Sequence, residues 1–197
     1  EVITTHLEKL LASAQLTLSN IHILVTSIGP GSFTGIRVGI NFVRAIAYAR
    51  SLPIYTFDSL RVLADPFTDH KLPIVVMNNA HKNMIFTAVY QQDQEVLAPC
   101  ALDLVQLEQT LSAEKYLCLG DAYEIYERHF SDRLKSKLNY EQPRSDFVAA
   151  QTLGQMWHKC GKKTGPQTWN QLLPLYIRAS EAEEKLWSGL LRPPHKL

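Results

Sequence analysis

The sequence predicts an α/β fold, and three observations lead to that prediction. A glycine-rich turn at 29–35 joins an apolar run, 21–26, to a longer run with helical periodicity, 33–49, as a strand, a turn and a helix would. Further along the chain, short β-branched and aromatic runs alternate with helical patterns. Of the 197 residues, 46% are hydrophobic, which is enough for a sizeable core.

The first part of the chain contains four further predicted features besides the strand, turn and helix already named. Leu52-Pro53 ends the long helix, and Asp58 or Ser59 can cap the next one. In chain order the features are an amphipathic helix at 1–14, a strand at 54–57, a short helix at 60–64 and a linker-like turn at 65–71. We place a boundary at that turn, between an N-terminal lobe, 1–70, and a C-terminal lobe, 71–197.

The second part predicts strands, helices and two turns. Its features are strands at 73–77, 84–90 and 116–119, a polar turn at 78–83, helices at 102–111 and 181–187, and an extended segment at 174–178. Gly120-Asp121 turns into an aromatic-rich helix that ends near Phe130, and Ser145 or Asp146 can cap a helix that ends at Gly161. The last helix can pack back on the first lobe.

Charge and cysteine content limit the class of protein. The formal net charge is +1, from 20 basic and 19 acidic residues, so any RNA contact must be local or supplied by a partner. No apolar run reaches the roughly 18 residues of a membrane span, and the three cysteines are isolated, without metal-ligand spacing. We therefore expect a cytoplasmic protein that binds no metal, with Cys100, Cys118 and Cys160 as small buried hydrophobic residues.

The glycine-rich turn has two interpretations that the sequence leaves open. Ser32 can cap the helix, and the free amides and dipole of a helix start suit an anion or nucleotide. No Lys-Ser or Lys-Thr pair follows, as a phosphate-binding P-loop would require, so the glycines can equally serve turn geometry alone. The candidate anion contacts are Gly29, Gly31, Ser32, Thr34 and Gly35.

The helix after the turn is apolar on two sides. At about 100° per residue, the centres of the two sides lie roughly 145° apart. One side can cover the sheet, and the other must be covered within the domain or by a partner protein. The first side comprises Ile36, Ile40, Val43 and Ala47; the second comprises Val38, Phe42, Ala45, Ile46 and Ala49. A polar stripe between them comprises Arg37, Asn41, Arg44 and Tyr48.

Catalytic motifs are absent from the sequence. Neither a His-Glu-x-x-His pair nor a Gly-x-Ser-x-Gly elbow occurs. His81 and Lys82, in the polar turn, are best interpreted as solvated loop residues. The scattered carboxylates occupy positions where helix capping explains them as well as chemistry does, namely Asp58, Asp103, Asp121 and Asp146.

A long motif adds a family resemblance. The string Gly29-Pro30-Gly31-Ser32-Phe33-Thr34-Gly35-Ile36-Arg37-Val38-Gly39, followed by Leu52-Pro53-Ile54, resembles the signature of the TsaB (YeaZ) family. The likeness covers essentially the whole chain and continues through Asn79-Ala80-His81, Gly120-Asp121, the helix from Ser145, and Pro174-Leu175-Tyr176-Ile177-Arg178. At Asn79 and His81 the family usually has Asp and Arg, so the family's role for that loop is not carried over to this chain.

The resemblance implies a fold and a role. The fold is the actin-like, Hsp70-like (ASKHA) architecture of two α/β lobes, whose first strands, with an Asp-Thr-Ser segment, would precede Glu1. The role is that of a non-catalytic partner of the TsaD threonylcarbamoyltransferase, which forms threonylcarbamoyladenosine in tRNA beside the anticodon. A TsaE-like ATPase joins the larger complex, the chain alone forms a homodimer, tRNA is contacted indirectly, and ATP or ADP binds only at the partner interface.

By the same resemblance the partner interface lies on the first two helices. Its expected residues are Leu7, Leu11, Val38, Phe42, Ala45, Ile46 and Ala49. An alternative is a nucleotide-binding ATPase or phosphotransferase of the same superfamily, with the 29–35 turn holding phosphate. The family's older protease label is a third reading, which the lack of metal-ligand spacing disfavours.

Overall fold

The computed structural model describes residues 2–141, 150–161 and 165–178, and it confirms the predicted α/β class. The first sheet pairs strands β1 (Leu24–Ser27) and β2 (Ile54–Phe57) in parallel, with Leu24 opposite Ile54. Helix α2 (Phe33–Arg50) connects the two strands. Helix α1 (Val2–Ser13) precedes them, where the apolar stripe predicts a helix, but none of its residues is buried.

The second sheet has five strands in the order β5-β4-β3-β6-β7. The strands are β3 (Ile74–Asn79), β4 (Ile85–Gln91), β5 (Gln94–Leu102), β6 (Tyr116–Leu119) and β7 (Leu138–Tyr140). Strands β3, β4 and β5 form an antiparallel meander, whereas β6 runs parallel to β3 and β7 parallel to β6. The two parallel pairings bring the carboxyl ends of β3 and β6 to the same edge of the sheet.

Helices cover both faces of this second sheet. They are α3 (Ser59–Ala64), α4 (Leu104–Thr110), α5 (Ala122–Tyr126) and α6 (Asp132–Lys137). Helix α7 (Ala150–Met156), which continues into a π-helical turn, Trp157–Gly161, packs on α3 and on β1 of the first sheet. Because successive strand residues point to opposite faces, Val75 and Met77 pack toward α4, α5 and α6, while Ile74 and Val76 pack toward α3. On its other side α3 places Val62 against Phe57 and Met156.

Several elements differ from the sequence prediction. Strand β1 occupies Leu24–Ser27 rather than the predicted 21–26. The predicted helix at 102–111 begins only at Leu104, because residues 94–102 form the edge strand β5. Pro99 and polar residues obscure that strand in the sequence, and an edge strand tolerates both. The sequence also gives no sign of α6 or of the three-residue β7.

The capping interpretation holds for some carboxylates and fails for one. Asp58 accepts a hydrogen bond from the Arg61 amide at 2.7 Å, and Asp103 forms a capping box with Gln106. Asp121 stands before α5 but does not cap it with its side chain. Its carboxylate accepts a hydrogen bond from the Asn79 amide at 2.7 Å instead. The predicted cap at Ser145 or Asp146 and the predicted helix at 181–187 lie outside the described residues.

The cysteines need a smaller correction. Cys118 is buried as predicted, but Cys100 and Cys160 are only half-buried, and all three thiols are free. Burial raises the pKa of Cys118 to about 12, so its thiolate form is scarce at neutral pH. Among the described helices, none combines the length and the apolar character needed to cross a bilayer.

Candidate functional site

A cleft of about 700 Å³ lies where four segments distant in sequence meet. They are the glycine-rich turn with the start of α2, the β3 end with the loop to β4, the Gly120-Asp121 turn after β6, and the segment 172–178, which we call the strap. The lining residues are Pro30, Gly31, Ser32, Phe33, Thr34, Ile36, Leu63, Asn78, Asn79, Ala80, His81, Lys82, Phe86, Gly120, Asp121, Leu175, Tyr176, Ile177 and Arg178.

Gly29 shapes the turn from below the cleft surface. Its φ is +107°, a left-handed conformation that side chains rarely adopt. A Cβ at this position would lie 2.8 Å from Ile36 Cδ1 and 3.1 Å from the Leu175 carbonyl oxygen. The Gly29 carbonyl accepts a hydrogen bond from the Ser59 amide at 2.7 Å, which ties the turn to the start of α3. Gly29 is therefore required by local geometry.

Ser32 serves the helix that the turn begins. Its hydroxyl accepts a hydrogen bond from the Gly35 amide at 3.3 Å, which confirms the predicted N-cap. The amides of Phe33 and Thr34 belong to the first turn, where an α-helix supplies no partner for them. The structure thus places Gly31, Ser32 and Thr34 on the cleft surface, whereas the buried Gly29 and the exposed Gly35 do not line it. Their contact with an anion stays a prediction.

The opposite side of the cleft is fixed by a network around Asn79. Asn79 Oδ1 accepts hydrogen bonds from the Tyr126 hydroxyl and the His81 backbone amide, both at 2.9 Å. The backbone amide of Asn79 donates to Asp121 Oδ1. Gly120 has a φ of +102°, and a Cβ there would approach the Met77 carbonyl oxygen to 2.4 Å. The Asn79 and Asp121 side chains therefore hold the β3 end against the β6 turn.

The strap connects the two sheets across the cleft. The Leu175 amide donates to the Ile28 carbonyl at 2.8 Å, after β1. The Tyr176 ring stacks on Phe33, with ring centroids 4.9 Å apart. Arg178 then donates from Nη1 to the Ala80 carbonyl at 2.8 Å, in the β3–β4 loop. One short extended segment thus contacts both sides of the cleft.

A polar pair of a half-buried carboxylate and a buried tyrosine lies near the site, at the start of α3. The Tyr90 hydroxyl donates to Asp58 Oδ1 at 3.1 Å, and the Arg61 guanidinium lies over the Tyr90 ring. Burial raises the pKa of Asp58 above its ordinary value, although the Arg61 amide and the Tyr90 hydroxyl both act to lower it. Burial, followed by the nearby Asp58 charge, raises the pKa of Tyr90 as well. The pair joins β4 to α3 without reaching the cleft surface.

The second apolar side of α2 faces outward in the described part of the chain. Ile40 and Ala47 are buried against Ile54 and Leu172, which confirms that the first side covers the small sheet. On the second side Val38 is 52% exposed. Ala45 and Ala49 are also exposed, and Phe42 and Ile46 are half-buried. On α1, Leu7 and Leu11 are half-buried.

Comparison with known proteins identifies the family. The family model described as TsaD, tRNA N6-adenosine threonylcarbamoyltransferase, matches residues 1–183. Two similar proteins carry the name tRNA threonylcarbamoyladenosine biosynthesis protein TsaB. The one from Bacillus subtilis is 27% identical over 82% of this chain and 72% of its own, and the one from Buchnera aphidicola is 24% identical over 66% and 67%. The chain belongs to the TsaD family, in its TsaB (YeaZ) group.

Solved structures agree with this assignment at the level of the fold. YeaZ from Pseudomonas aeruginosa superimposes with a TM-score of 0.70 at 21% identity, over 88% of this chain and 83% of that one. A second Pseudomonas aeruginosa structure, described as an uncharacterized protein with similarity to peptidase YEAZ, gives 0.71 at 21% identity, over 87% and 81%. The ASKHA fold and the TsaB resemblance predicted from the sequence are confirmed.

Four of the TsaB motif segments are neighbours in space. The glycine-rich turn, the Asn79-Ala80-His81 loop, the Gly120-Asp121 turn and the strap all line the one cleft. His81 and Lys82 are exposed there, both with positive φ. Sequence reasoning did not single out Asn78, Tyr176 or Arg178 as site residues. Their only signal was position, since Asn78 begins the predicted polar turn and the other two belong to the last TsaB motif.

Proposed function

We propose that this TsaB-group chain takes part in tRNA threonylcarbamoyladenosine biosynthesis as a non-catalytic partner of a TsaD-like protein. The names of its relatives and the match to the TsaD family model support the pathway. The observation that carries the partner role is the outward apolar side of α2, together with the exposed apolar residues of α1. An apolar surface of this kind marks a protein–protein interface more often than an isolated domain surface.

The geometry of the outward side suits close contact with another helix. Val38 projects with about half of its surface exposed, and Leu10 of α1 is 65% exposed. Gly39 lies beside this side of α2, and a Cβ there would meet nothing within 4 Å. A partner helix can therefore approach the α2 backbone closely at this glycine. ATP or ADP, where it binds at all, is expected only at the interface so formed.

The cleft supports a non-catalytic role. Its serine hydroxyl, Ser32, accepts the capping hydrogen bond of α2, and one oxygen of the Asp121 carboxylate accepts a hydrogen bond from a backbone amide. Neither contact is the nucleophile–base pairing that hydrolytic catalysis needs. Asn79 also stands where the family usually has a carboxylate, and its side chain bonds to Tyr126 and the loop backbone. These groups hold structure together.

Charged substitutions on the outward side test the partner role. Ala45→Glu and Phe42→Glu should abolish comigration with a purified TsaD-like protein on size exclusion, because a carboxylate would be desolvated in an apolar interface. Val105→Glu is the matched control, since Val105 is a 65% exposed apolar residue on α4. Circular dichroism checks that each variant is folded. Unchanged comigration of both α2 variants would overturn the proposal.

Two further measurements separate the possible occupants of this face. Light scattering on the isolated chain shows whether it forms a homodimer. If the homodimer uses the outward side of α2, the same α2 substitutions should dissociate it. A tRNA modification assay with TsaD-like and TsaE-like proteins should lose activity when this chain is omitted or carries Ala45→Glu. Full modification without the chain would contradict a required role.

A nucleotide-dependent enzyme is the second candidate, and the 700 Å³ cleft beside a helix start is the observation in its favour. Calorimetry with ATP and magnesium on the isolated chain, together with a phosphate-release assay, tests this function. Binding with turnover by the chain alone would support an ATPase or phosphotransferase. Absence of both leaves the partner role as the supported function.

A further inference from the structure

A third side of α2, between its buried side and its outward apolar side, carries arginines and an aromatic ring. Arg37 and Arg44 lie on this side, and residues from the chain around the strap cover part of it. Arg37 Nε donates to the Tyr176 hydroxyl at 2.9 Å, and Arg44 Nε donates to the Trp169 carbonyl at 3.0 Å. We call this surface the arginine–aromatic strip; its residues are Arg37, Arg44, Tyr48, Trp169 and Tyr176.

The rings of the strip are partly open to solvent. Tyr48 is 67% exposed, Tyr176 42% and Trp169 40%. Tyr48 and Trp169 meet edge to face, with centroids 5.0 Å apart and planes at 75°. In such a pair the ring that contributes its edge keeps both of its faces clear of the other ring. The strip therefore offers flat aromatic surface as well as positive charge.

Within the described segments that form the strip the charge is one-sided, although the whole chain is nearly neutral. Residues 9–57 include no Asp or Glu, but they include Lys9, Arg37, Arg44 and Arg50. Residues 165–178 likewise include no Asp or Glu. The described hydrogen bonds of Arg37 and Arg44 run to a phenol and a backbone carbonyl, which are both neutral, so these bonds leave the positive charges uncompensated. The strip is therefore a local basic surface.

We infer that the arginine–aromatic strip binds RNA, at an unpaired or looped segment. Positive charge alone would suit any polyanion, including an acidic protein. Exposed rings interleaved with arginines favour RNA, because unstacked bases stack on aromatic side chains and on guanidinium planes while phosphates meet the charges. The identification of the RNA as a tRNA rests on the proposed function. The inference that the strip binds RNA rests only on its charges and rings.

The position of the strip adds a geometric consequence. It adjoins the outward apolar side of α2, so a partner bound to that side would leave the strip at the rim of the interface. RNA bound there would contact this chain and its partner together. The complex should then bind RNA more tightly than the isolated chain, because two adjacent surfaces share one ligand.

Fluorescence anisotropy with a labelled RNA hairpin that has an unpaired loop tests the inference on the full chain, alone and with its TsaD-like partner. Tyr48→Ala and Trp169→Ala should each weaken binding roughly 5- to 150-fold, the usual effect of losing one base–aromatic stack. Tyr48→Phe should keep parental affinity. Arg44→Gln should lower the slope of log affinity against log salt by about 0.7. Arg128→Gln, an exposed arginine outside the strip, should change neither quantity.

Two controls identify the ligand class. A fully paired RNA duplex of the same composition should bind more weakly than the hairpin, and polyglutamate should compete poorly. Parental hairpin affinity in both alanine variants would overturn the inference, as would equal competition by polyglutamate, which would indicate an acidic protein ligand. Size exclusion with the partner separates the two proposals. RNA binding without complex formation would refute the partner role alone. Complex formation without RNA binding would refute the inference that the strip binds RNA.

Discussion

Replacing single glycines of the motif tests what the turn is for. Gly29→Ala forces a Cβ into a backbone with φ of +107°, which costs about 1–3 kcal/mol. The added carbon also crowds Ile36 Cδ1 at 2.8 Å and the Leu175 carbonyl oxygen at 3.1 Å. The isoleucine tip can rotate away, but the Leu175 oxygen is backbone held in place by the strap. We expect a total loss of about 2–4 kcal/mol in the free energy of unfolding.

Gly39→Ala is the matched substitution in the same motif, and we expect the opposite sign. Gly39 lies inside α2, and a Cβ there meets nothing within 4 Å. Alanine should therefore stabilise the isolated chain by about 1 kcal/mol through helix propensity. A chain of this size shifts its Tm by about 2–4 °C per kcal/mol. Gly29→Ala should thus lower the Tm by roughly 4–16 °C, and Gly39→Ala should raise it by roughly 2–4 °C.

Differential scanning fluorimetry and urea unfolding measure both variants against the parent. A Gly29→Ala protein with parental stability would refute the argument that this glycine is required by geometry. A destabilised Gly39→Ala protein would show that a neighbour outside the described contacts fills the space beside α2. The pair also bears on the partner role, since Gly39→Ala should weaken complex formation while the chain itself becomes more stable.

The remaining predictions concern buried groups. Burial raises the pKa of Asp58, so its stabilising contribution is full below the unfolded-chain pKa and is lost as pH rises through the folded-state pKa. Asp58→Asn keeps an oxygen acceptor for the Tyr90 hydroxyl and the Arg61 amide. The free energy of unfolding of this variant, minus that of the parent, should therefore increase from about pH 4 to pH 7 in urea unfolding. A difference that stays constant with pH would contradict this. Cys118 should resist a thiol reagent until the chain unfolds, while Cys100 and Cys160 react more readily; equal rates would contradict its burial.

Local sequence signals predicted the elements whose apolar pattern is complete. Strands β2 and β6 have the predicted bounds, and α2 differs by one residue at its end. The signal failed for β5, where Pro99 and solvent-facing polar residues interrupt the pattern of an edge strand. It failed for Asp121 for a different reason. A carboxylate before a helix suits a cap, and only the tertiary approach of Asn79 redirects it.

The cleft could not be assembled from the sequence, because its contacts join distant segments. Arg178 reaches the Ala80 carbonyl across 98 residues, and nothing in the local pattern of either segment indicates the other. The family motif marked the right segments without giving their arrangement. Those segments are kept together by loop contacts and strand ends rather than by hydrophobic periodicity, which is the signal that sequence reasoning uses best.

Helix α2 supports three different roles on three sides, and its geometry allows each role to be tested separately. Ile40 and Ala47 are buried in the core beside Leu172, so substitutions on that side should act on stability. Ala45 lies on the outward side and Arg44 on the strip, and their side chains project about 100° apart. Ala45→Glu should therefore reduce partner binding at constant RNA affinity in the isolated chain, and Arg44→Gln should do the reverse. If either substitution reduced both, the two surfaces would be one, and the strip would belong to the partner interface.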